Sequence, residues 1–446
     1  MRRVVTRTAS PLLALIALFG AMTLTGCAGL NHMSAPSLMP TPNLCAYAPD
    51  NPFANVPPQF RTSTVDILYV TDRVPEGDPA QAPRYGFRRS KSLAFGLTSV
   101  RIGKDLSWDE LVVASRSAQR PAGLPMSIIE TRELGRFPVT PMPMVERDGK
   151  MVESSDSAAI RLAVEAGFKT LLAERLALTP RKEVYVFIHG TGSRFDDPMY
   201  VMAGLWHFMG RQGVPVVYTW PAGGGTDPLR GYAYDRESSD FTVYHFKQFL
   251  CLLASCPDVE KVHVLAHSRG TDTALAALRE LNIEIRASGG NTQKVLKLGC
   301  FVLAAADMDL EVSTQRVSAE HLMRVPEQMV LYVSPSDFQL GMADWLFEGK
   351  GRLGQVEAAD LPHRQNELLR HLTGIQFIDC SVAGSGFDSH EYFYGHPAVS
   401  SDLILLLRDG RHPGAENGRP LSRGTGDIWR IYQNYPSPPK PRPAKK

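Results

Sequence analysis

The sequence predicts an α/β protein: a mostly parallel central sheet with helices on both faces, preceded by a strand-rich N-terminal extension. Three observations predict it. From residue 184 onward, short apolar runs alternate with segments of helical spacing. Those runs lack polar alternation, as strands buried on both faces should. And 446 residues at 43% hydrophobic supply a large core. The same composition, with 21% charged residues, excludes wholesale disorder, collagen-like repeats and a polytopic membrane protein. A net charge of +2 argues against nucleic acid as the main partner, because neutralising several phosphates needs a clear basic surplus.

Taken in order, the chain opens on an address. Arg2 and Arg3 precede the uncharged stretch Pro11–Met22. That stretch is too short to cross roughly 30 Å of hydrocarbon and suits the apolar region of a signal peptide. It ends in Leu24-Thr25-Gly26-Cys27, which resembles the lipobox of bacterial lipoproteins. The resemblance implies removal of residues 1–26 and acylation of Cys27, since a thiol is the nucleophile that takes a diacylglyceryl group. Several acyl chains on one residue anchor firmly, where one chain binds reversibly. Ala28 after the cysteine, in place of aspartate, implies the outer membrane, facing the periplasm, in a host that has one. Residues 27–62 are rich in proline (Pro36, Pro40, Pro42, Pro49, Pro52, Pro57, Pro58) and read as an extended tether.

The folded body is expected over 63–412, with its extension at 63–150. Val65–Thr71 reads as a first strand, and Ser92–Ile102 as further strand with a turn at Gly96. Ser155–Leu178 shows helical spacing, with Ala159, Leu162, Ala163, Ala166 and Leu171 on the apolar side. Alternation follows: strands at Val184–Ile188, Val214–Trp220, Lys261–Leu265, Leu298–Ala306, Met329–Val333 and Ile375–Cys380. Between or after them come helices at Asp197–Gly210, Ser238–Ser255, Thr271–Leu281 and Val399–Arg408. Residues 413–446 are a C-terminal tail whose end, Pro436–Lys446, is expected to be disordered. Of six cysteines, Cys251 and Cys256 are the one close pair, and whether they are bridged is open. Cys300 reads as a small buried hydrophobe. No cysteine and histidine spacing resembles a zinc site, and no metal or organic cofactor is expected.

Chemistry in such sheets sits at the carboxyl ends of the strands. There Lys261–Leu265 runs into Ala266-His267-Ser268-Arg269-Gly270, and a helix follows at once. This resembles the nucleophile elbow of α/β-hydrolases, with Ala266 in place of the first glycine. Small residues flank the serine because the turn brings backbones almost into contact. An oxyanion hole needs two N–H groups aimed at one point. One should come from Arg269, the other from Thr191 in His189-Gly190-Thr191-Gly192, with His189 a structural side chain under that loop. The base should follow the last strand, which selects His390, with His396 as rival; His267 points the wrong way. The acid should be Asp337, after Met329–Val333, with Asp307 and Asp309 as competitors. The chain order Ser268, Asp337, His390 is that of α/β-hydrolases.

Residues from about 64 to 410 resemble an uncharacterised bacterial α/β-hydrolase family, a domain of unknown function. The matching stretches are Ile67-Leu68-Tyr69-Val70-Thr71-Asp72-Arg73, Tyr85-Gly86-Phe87-Arg88-Arg89-Ser90, Phe187-Ile188-His189-Gly190, Trp220-Pro221, Tyr234-Asp235-Arg236-Glu237-Ser238, Ala266-His267-Ser268 and Leu331-Tyr332-Val333-Ser334, with His390, Tyr392 and Phe393. The family usually carries Tyr-Asn where this chain has Thr191-Gly192, and methionine where it has Arg269. Arg269 either offers its charge to anionic substrates or pairs with an acid such as the neighbours of Asp337. The resemblance implies a lipid-anchored serine hydrolase acting on a small-molecule or lipid acyl substrate. The alternative is a hydrolase scaffold kept as an envelope binding or assembly protein.

Overall fold

The computed structural model describes residues 36–47, 51–77, 84–120, 123–225, 227–337, 339–340, 352–355, 374–384, 387–424 and 428–437. Cys27, the signal peptide, and the chain end from residue 438 lie outside the described residues. Thirteen strands are present among them: β1 (Thr64–Glu76), β2 (Arg84–Ile102), β3 (Met126–Arg136), β4 (Met144–Arg147), β5 (Lys150–Glu153), β6 (Glu183–Ile188), β7 (Val214–Thr219), β8 (Lys261–His267), β9 (Leu298–Ala304), β10 (Gln328–Val333), β11 (Ile375–Asp379), β12 (Ser422–Arg423) and β13 (Ile428–Arg430). Eleven form one sheet in the order β12-β13-β11-β10-β9-β8-β6-β7-β1-β2-β3, and β4 and β5 make a separate hairpin. Pairing is parallel from β13 through to β1. It is antiparallel at both ends, between β12 and β13 and along β1, β2 and β3.

The principal helices are α1 (Trp108–Ser115), α2 (Ser155–Ala177), α3 (Asp197–Phe208), α4 (Pro228–Ala254), α5 (Gly270–Ala287) and α6 (Pro397–Asp409). Side chains alternate across a strand, so β6 sends Val184, Val186 and Ile188 to one core and Tyr185 and Phe187 to the other. The first core is closed by Phe168 and Leu172 of α2, Phe246 and Phe249 of α4 and Leu275 and Leu278 of α5. The second is closed by α3 and α6. A sheet covered on both faces is what unbroken apolar strands require, and the fold class read from the sequence holds.

Several expectations are corrected. The tether does not extend to residue 62: Leu38, Met39, Cys45, Phe53 and Val56 are buried in the second core, and Ser37 bridges to Pro125. Proline content signalled an extended chain, but these apolar side chains have a core to enter. The tail likewise folds through residue 437, adding β12 and β13 and burying Leu421, Ile431 and Tyr435. There is no turn at Gly96: β2 runs straight through it, opposite Tyr69 and Glu133. A Cβ at Gly96 would lie 1.9 Å from the Arg132 carbonyl oxygen, so glycine is there for close approach. On α2 the buried residues are Phe168, Leu172 and Leu176, while Leu162 is 57% exposed and Ala159, Ala163 and Ala166 face outward. The first turns of α2 lie beyond the sheet, where Arg161 pairs with Glu153 of β5. Helix α4 begins ten residues earlier than expected, capped by the Asp227 carboxylate with Pro228 at its first position. Cys251 and Cys256 are both free thiols, one exposed and one buried, and Cys300 is buried as expected.

The folded C-terminal segment is secured by a buried ion pair. Arg419 donates from Nε and Nη2 to the two oxygens of Asp402, at 2.8 and 2.7 Å, and both side chains are fully buried. Tyr332 and Tyr435 donate their hydroxyls to the same carboxylate, each at 2.7 Å. Removing one partner of such a pair leaves a buried charge uncompensated. Arg419→Met should therefore cost about 3–5 kcal/mol in urea unfolding; an unchanged midpoint would return residues 413–437 to the status of a tail.

Candidate active site

The elbow is built by steric necessity. β8 stays buried as far as His267, and Ser268 then adopts φ +52°, a left-handed conformation that a serine occupies only when its surroundings impose it. Its N–H donates to the Ala304 carbonyl at 3.0 Å, and its own carbonyl accepts from Thr271 N–H at 3.0 Å and Thr271 Oγ1 at 2.6 Å. A Cβ at Gly270 would lie 2.4 Å from the His189 carbonyl oxygen, and one at Gly190 would lie 2.6 Å from Ser268 Cβ. The loop after β6 and the elbow therefore touch backbone to backbone, and Ala266, fully buried, is as large a residue as stands there.

His390 and Asp337 meet at the carboxyl ends of the strands: His390 Nδ1 lies 2.8 Å from Asp337 Oδ2. A carboxylate can only accept, so Nδ1 carries the proton and Nε2 is left as the basic nitrogen. The other oxygen of Asp337 accepts the N–H groups of Gln339 and Leu340, at 3.1 and 3.2 Å. The competitors are otherwise employed. Asp309 caps a short helix by accepting Val312 N–H, and Asp307 is taken up by Arg269, Arg352 and Tyr232. His396 stands at the start of α6, and the Nε2 of His267 faces the His390 carbonyl oxygen at 3.2 Å. Burial, and then the charge of His390, hold the His267 imidazole well below its ordinary pKa.

The two expected oxyanion donors sit as the elbow and loop dictate. Arg269 occupies the N-cap of α5, and Thr191 stands in the loop beside Gly190. Among the described residues neither backbone N–H donates to a protein acceptor. The side chain of Arg269 turns away into an ion pair with Asp307 and a second with Asp272 at 3.2 Å, and it also bonds Tyr232. Burial opposes its charge, but Asp307, then Tyr232 and Asp272, hold its pKa above the usual value. Of the two readings of Arg269, pairing with an acid is the one realised, and the guanidinium is no free cation for a substrate.

Arg73 and Asp235, given no role in the sequence, surround the loop together with His189, which the sequence placed under it as a structural side chain. Arg73 of β1 is buried and donates to the carbonyls of Gly86, Ala222 and Ser193 and to Thr219 Oγ1. Burial lowers its pKa to about 10. Asp235 of α4 accepts Gly192 N–H at 2.7 Å and Gly223 N–H at 2.9 Å, and burial raises its pKa to about 6. His189 stacks on Trp220, its ring centroid 5.2 Å from that of the indole. The signal for these residues was present: Asp72-Arg73, Trp220-Pro221 and Tyr234-Asp235 belong to the stretches of family resemblance. Next to the loop lies a cavity of about 280 Å³, bounded by Gly190, Thr191, His267 and Phe393 and, from the N-terminal segment, by Leu38 and Met39.

A doubly covered, mostly parallel sheet with a serine elbow leading into a helix defines the molecule as an α/β hydrolase. Residues 164–408, more than half of the chain, match the family described as "Alpha/beta hydrolase of unknown function (DUF900)", and the chain belongs to that family. The match opens within α2, so β1, β2 and β3 precede it. No curated protein matches the chain. Among solved structures it is similar to a predicted CIB-like hydrolase from Thermoplasma acidophilum, at 13% identity over 60% of this chain and 97% of that one, with a TM-score of 0.30. It is also similar to acyl-protein thioesterase 2 from Zea mays, at 16% identity over 45% and 84%, with a TM-score of 0.24.

Arg269→Met removes the charge from the centre of the Asp307 cluster, whose carboxyl pKa is kept below the ordinary range, against burial, chiefly by Arg269 and then by Arg352. The substitution should cost about 3–5 kcal/mol in thermal or urea unfolding. Because the folded-state pKa of Asp307 is depressed, the stability it contributes is present above the ordinary carboxylate range and lost as pH falls through its lowered value. The variant should accordingly show a shallower loss of stability on acidification. Undiminished stability with a selective loss of activity on anionic esters would restore the substrate-binding reading.

Proposed function

We propose that the protein is a lipid-anchored serine hydrolase that cleaves an ester or similar acyl bond through an acyl-enzyme. The observation that carries this reading is the 2.8 Å contact between His390 and Asp337, in the same sheet edge as a serine held at φ +52° on an elbow. His390 Nε2 takes the proton of Ser268 Oγ as Oγ bonds to the acyl carbon, and the N–H groups of Arg269 and Thr191 stabilise the oxyanion. The same proton passes to the leaving group as its bond to the acyl carbon breaks. Water, deprotonated by His390, then releases the acid. Asp337 holds the tautomer and offsets the imidazolium charge. The acyl group belongs to a small molecule or a lipid, and Cys27 would carry the lipid that holds the enzyme in the cell envelope, at the outer membrane facing the periplasm.

The second reading, a scaffold without turnover that serves binding or envelope assembly, draws on the low exposure of Ser268 and His390, 4% and 1%. A fluorophosphonate probe separates the two, since it reacts with an activated serine alone. Wild-type protein should label and should hydrolyse short p-nitrophenyl esters; Ser268→Ala should do neither while melting normally, and Asp337→Asn should lose about four orders of magnitude in turnover. Absence of labelling in folded wild-type protein would leave the scaffold reading in possession.

The anchor is tested apart from the chemistry. Cys27→Ser cannot take the diacylglyceryl group, so the protein should be recovered unprocessed or soluble. A variant found in the membrane fraction at mature size would remove the lipoprotein assignment and leave the hydrolase untouched.

A further inference from the structure

The loop after β6 is fixed by three buried side chains that take no part in the mechanism above. His189 Nε2 lies 3.2 Å from the Trp220 N–H and 3.4 Å from Arg73 Nη2, both of them donors. A ring nitrogen that accepts carries no proton, so the proton of His189 is on Nδ1, which donates to the Gly190 carbonyl at 2.8 Å. The peptide joining Gly190 to Thr191 is trans, so its C=O and N–H lie in one rigid plane and point in opposite directions. Holding the Gly190 oxygen therefore sets the direction of the Thr191 N–H. One residue further on, Asp235 accepts Gly192 N–H at 2.7 Å, and next to that Arg73 donates to the Ser193 carbonyl at 2.8 Å. Asp235 and Arg73 also grip the facing strand end, through Gly223 N–H at 2.9 Å and the Ala222 carbonyl at 3.0 Å. Backbone groups on both sides of Thr191 are thus tied down, and its own N–H is left over.

We propose that His189 and Asp235, steadied by Arg73, are positioning residues that aim the Thr191 N–H at the oxyanion; this rests on the hydrolase reading above. The protonation of His189 suits the task. Burial, and then the charge of Arg73, lower its pKa to about 3, so the imidazole stays neutral and keeps one tautomer while His390 cycles. The arrangement also gives the N-terminal extension a part in the site, because Arg73 belongs to β1, ahead of the segment that matches the family. An oxyanion donor rewards such rigidity, since its worth lies in being aimed before charge develops.

The test uses the full chain, fluorophosphonate labelling and p-nitrophenyl acetate hydrolysis, with every rate expressed per folded molecule from thermal melts. His189→Gln keeps an acceptor near the Nε2 position and loses the Nδ1 donor, whereas His189→Asn keeps a donor near Nδ1. Asp235→Asn sets an amide N–H against one of the two backbone donors. His189→Gln and Asp235→Asn should lower kcat and the labelling rate by about 100-fold with KM unchanged, the scale set by a misplacement of about 1 Å. His189→Asn should recover most of the loss. If kcat per folded molecule stays at the wild-type level while yield or melting temperature falls, the residues are merely structural and the proposal is overturned; should Asp235→Asn not fold, the two His189 variants decide. Ser268→Ala serves as the control: full labelling of that variant would remove the hydrolase reading itself. An inert Ser268→Ala beside wild-type rates in His189→Gln would remove this assignment alone.

Discussion

The site depends on one close crossing of backbones. Where β8 turns into α5, the chain passes so near the end of β6 that Gly270 faces the His189 carbonyl and Gly190 faces the Ser268 side chain with no room for another carbon atom. Everything at the sheet edge is placed relative to this crossing. It forces Ser268 into a left-handed conformation, lifts it from the strand, and puts the N-terminus of α5 beside the loop after β6. Strain of this kind persists where the surroundings over-determine it, and here the β9 backbone, Thr271 and the glycine contacts do so together.

Across the molecule the fold accommodates buried arginines in two distinct ways. Arg269 and Arg419 are neutralised by carboxylates, Asp307 and Asp402, and each keeps its charge against burial. Arg73 and Arg211 rest largely on carbonyl oxygens, and burial lowers their pKa values to about 10 and about 9. Arg419 ties the C-terminal segment to α6, whereas the second pair gathers loop backbone: Arg73 binds the carbonyls of Gly86, Ser193 and Ala222, and Arg211, which also bonds His207, that of Thr62. A guanidinium with five donors can organise several chain segments at once, which an ion pair with a single carboxylate does less well.

The parts of the structure legible in the sequence are those encoded by short-range patterns. The inner strands announce themselves because both of their faces are apolar, and the elbow because its steric demand falls on adjacent residues. The contact between Asp337 and His390 could be anticipated from chain order. What escaped is of three kinds. β3 carries Glu130, Arg132, Glu133 and Arg136, so an exposed edge strand reads as irregular polar chain. Apart from Asp272, three residues on, the partners of Arg269 are remote, with Tyr232 and Asp307 lying 37 and 38 residues away and no local pattern to connect them. Residues 36–62 failed for a third reason: their composition describes the unfolded preference of the segment, not the pocket of core that receives Leu38, Phe53 and Val56.

That segment also constrains the order in which the molecule can be completed. Asn43 Nδ2 donates to the Tyr435 carbonyl at 2.9 Å, across 392 positions of sequence, and Leu44 N–H donates to Ser401 Oγ at 3.0 Å. Residues 36–38 pair with the chain at the start of β3, where Leu38 N–H donates to the Leu124 carbonyl at 2.7 Å and Met126 N–H to that of Pro36 at 2.6 Å, whereas Asn43 and Leu44 are held by the chain end and by α6. A domain usually folds as a unit while synthesis proceeds from the N-terminus, but here Asn43 finds its partner only after Tyr435 has been made. That contact spans 392 positions, and contacts of high sequence separation form slowly because the loop entropy must be spent before they return anything. The short helix at Asn43–Ala46 is thus secured in full only by the end of the chain, and a chain lacking its C-terminal thirty residues would keep the pairing of residues 36–38 with residues 124–126 but lose the Tyr435 carbonyl that holds Asn43.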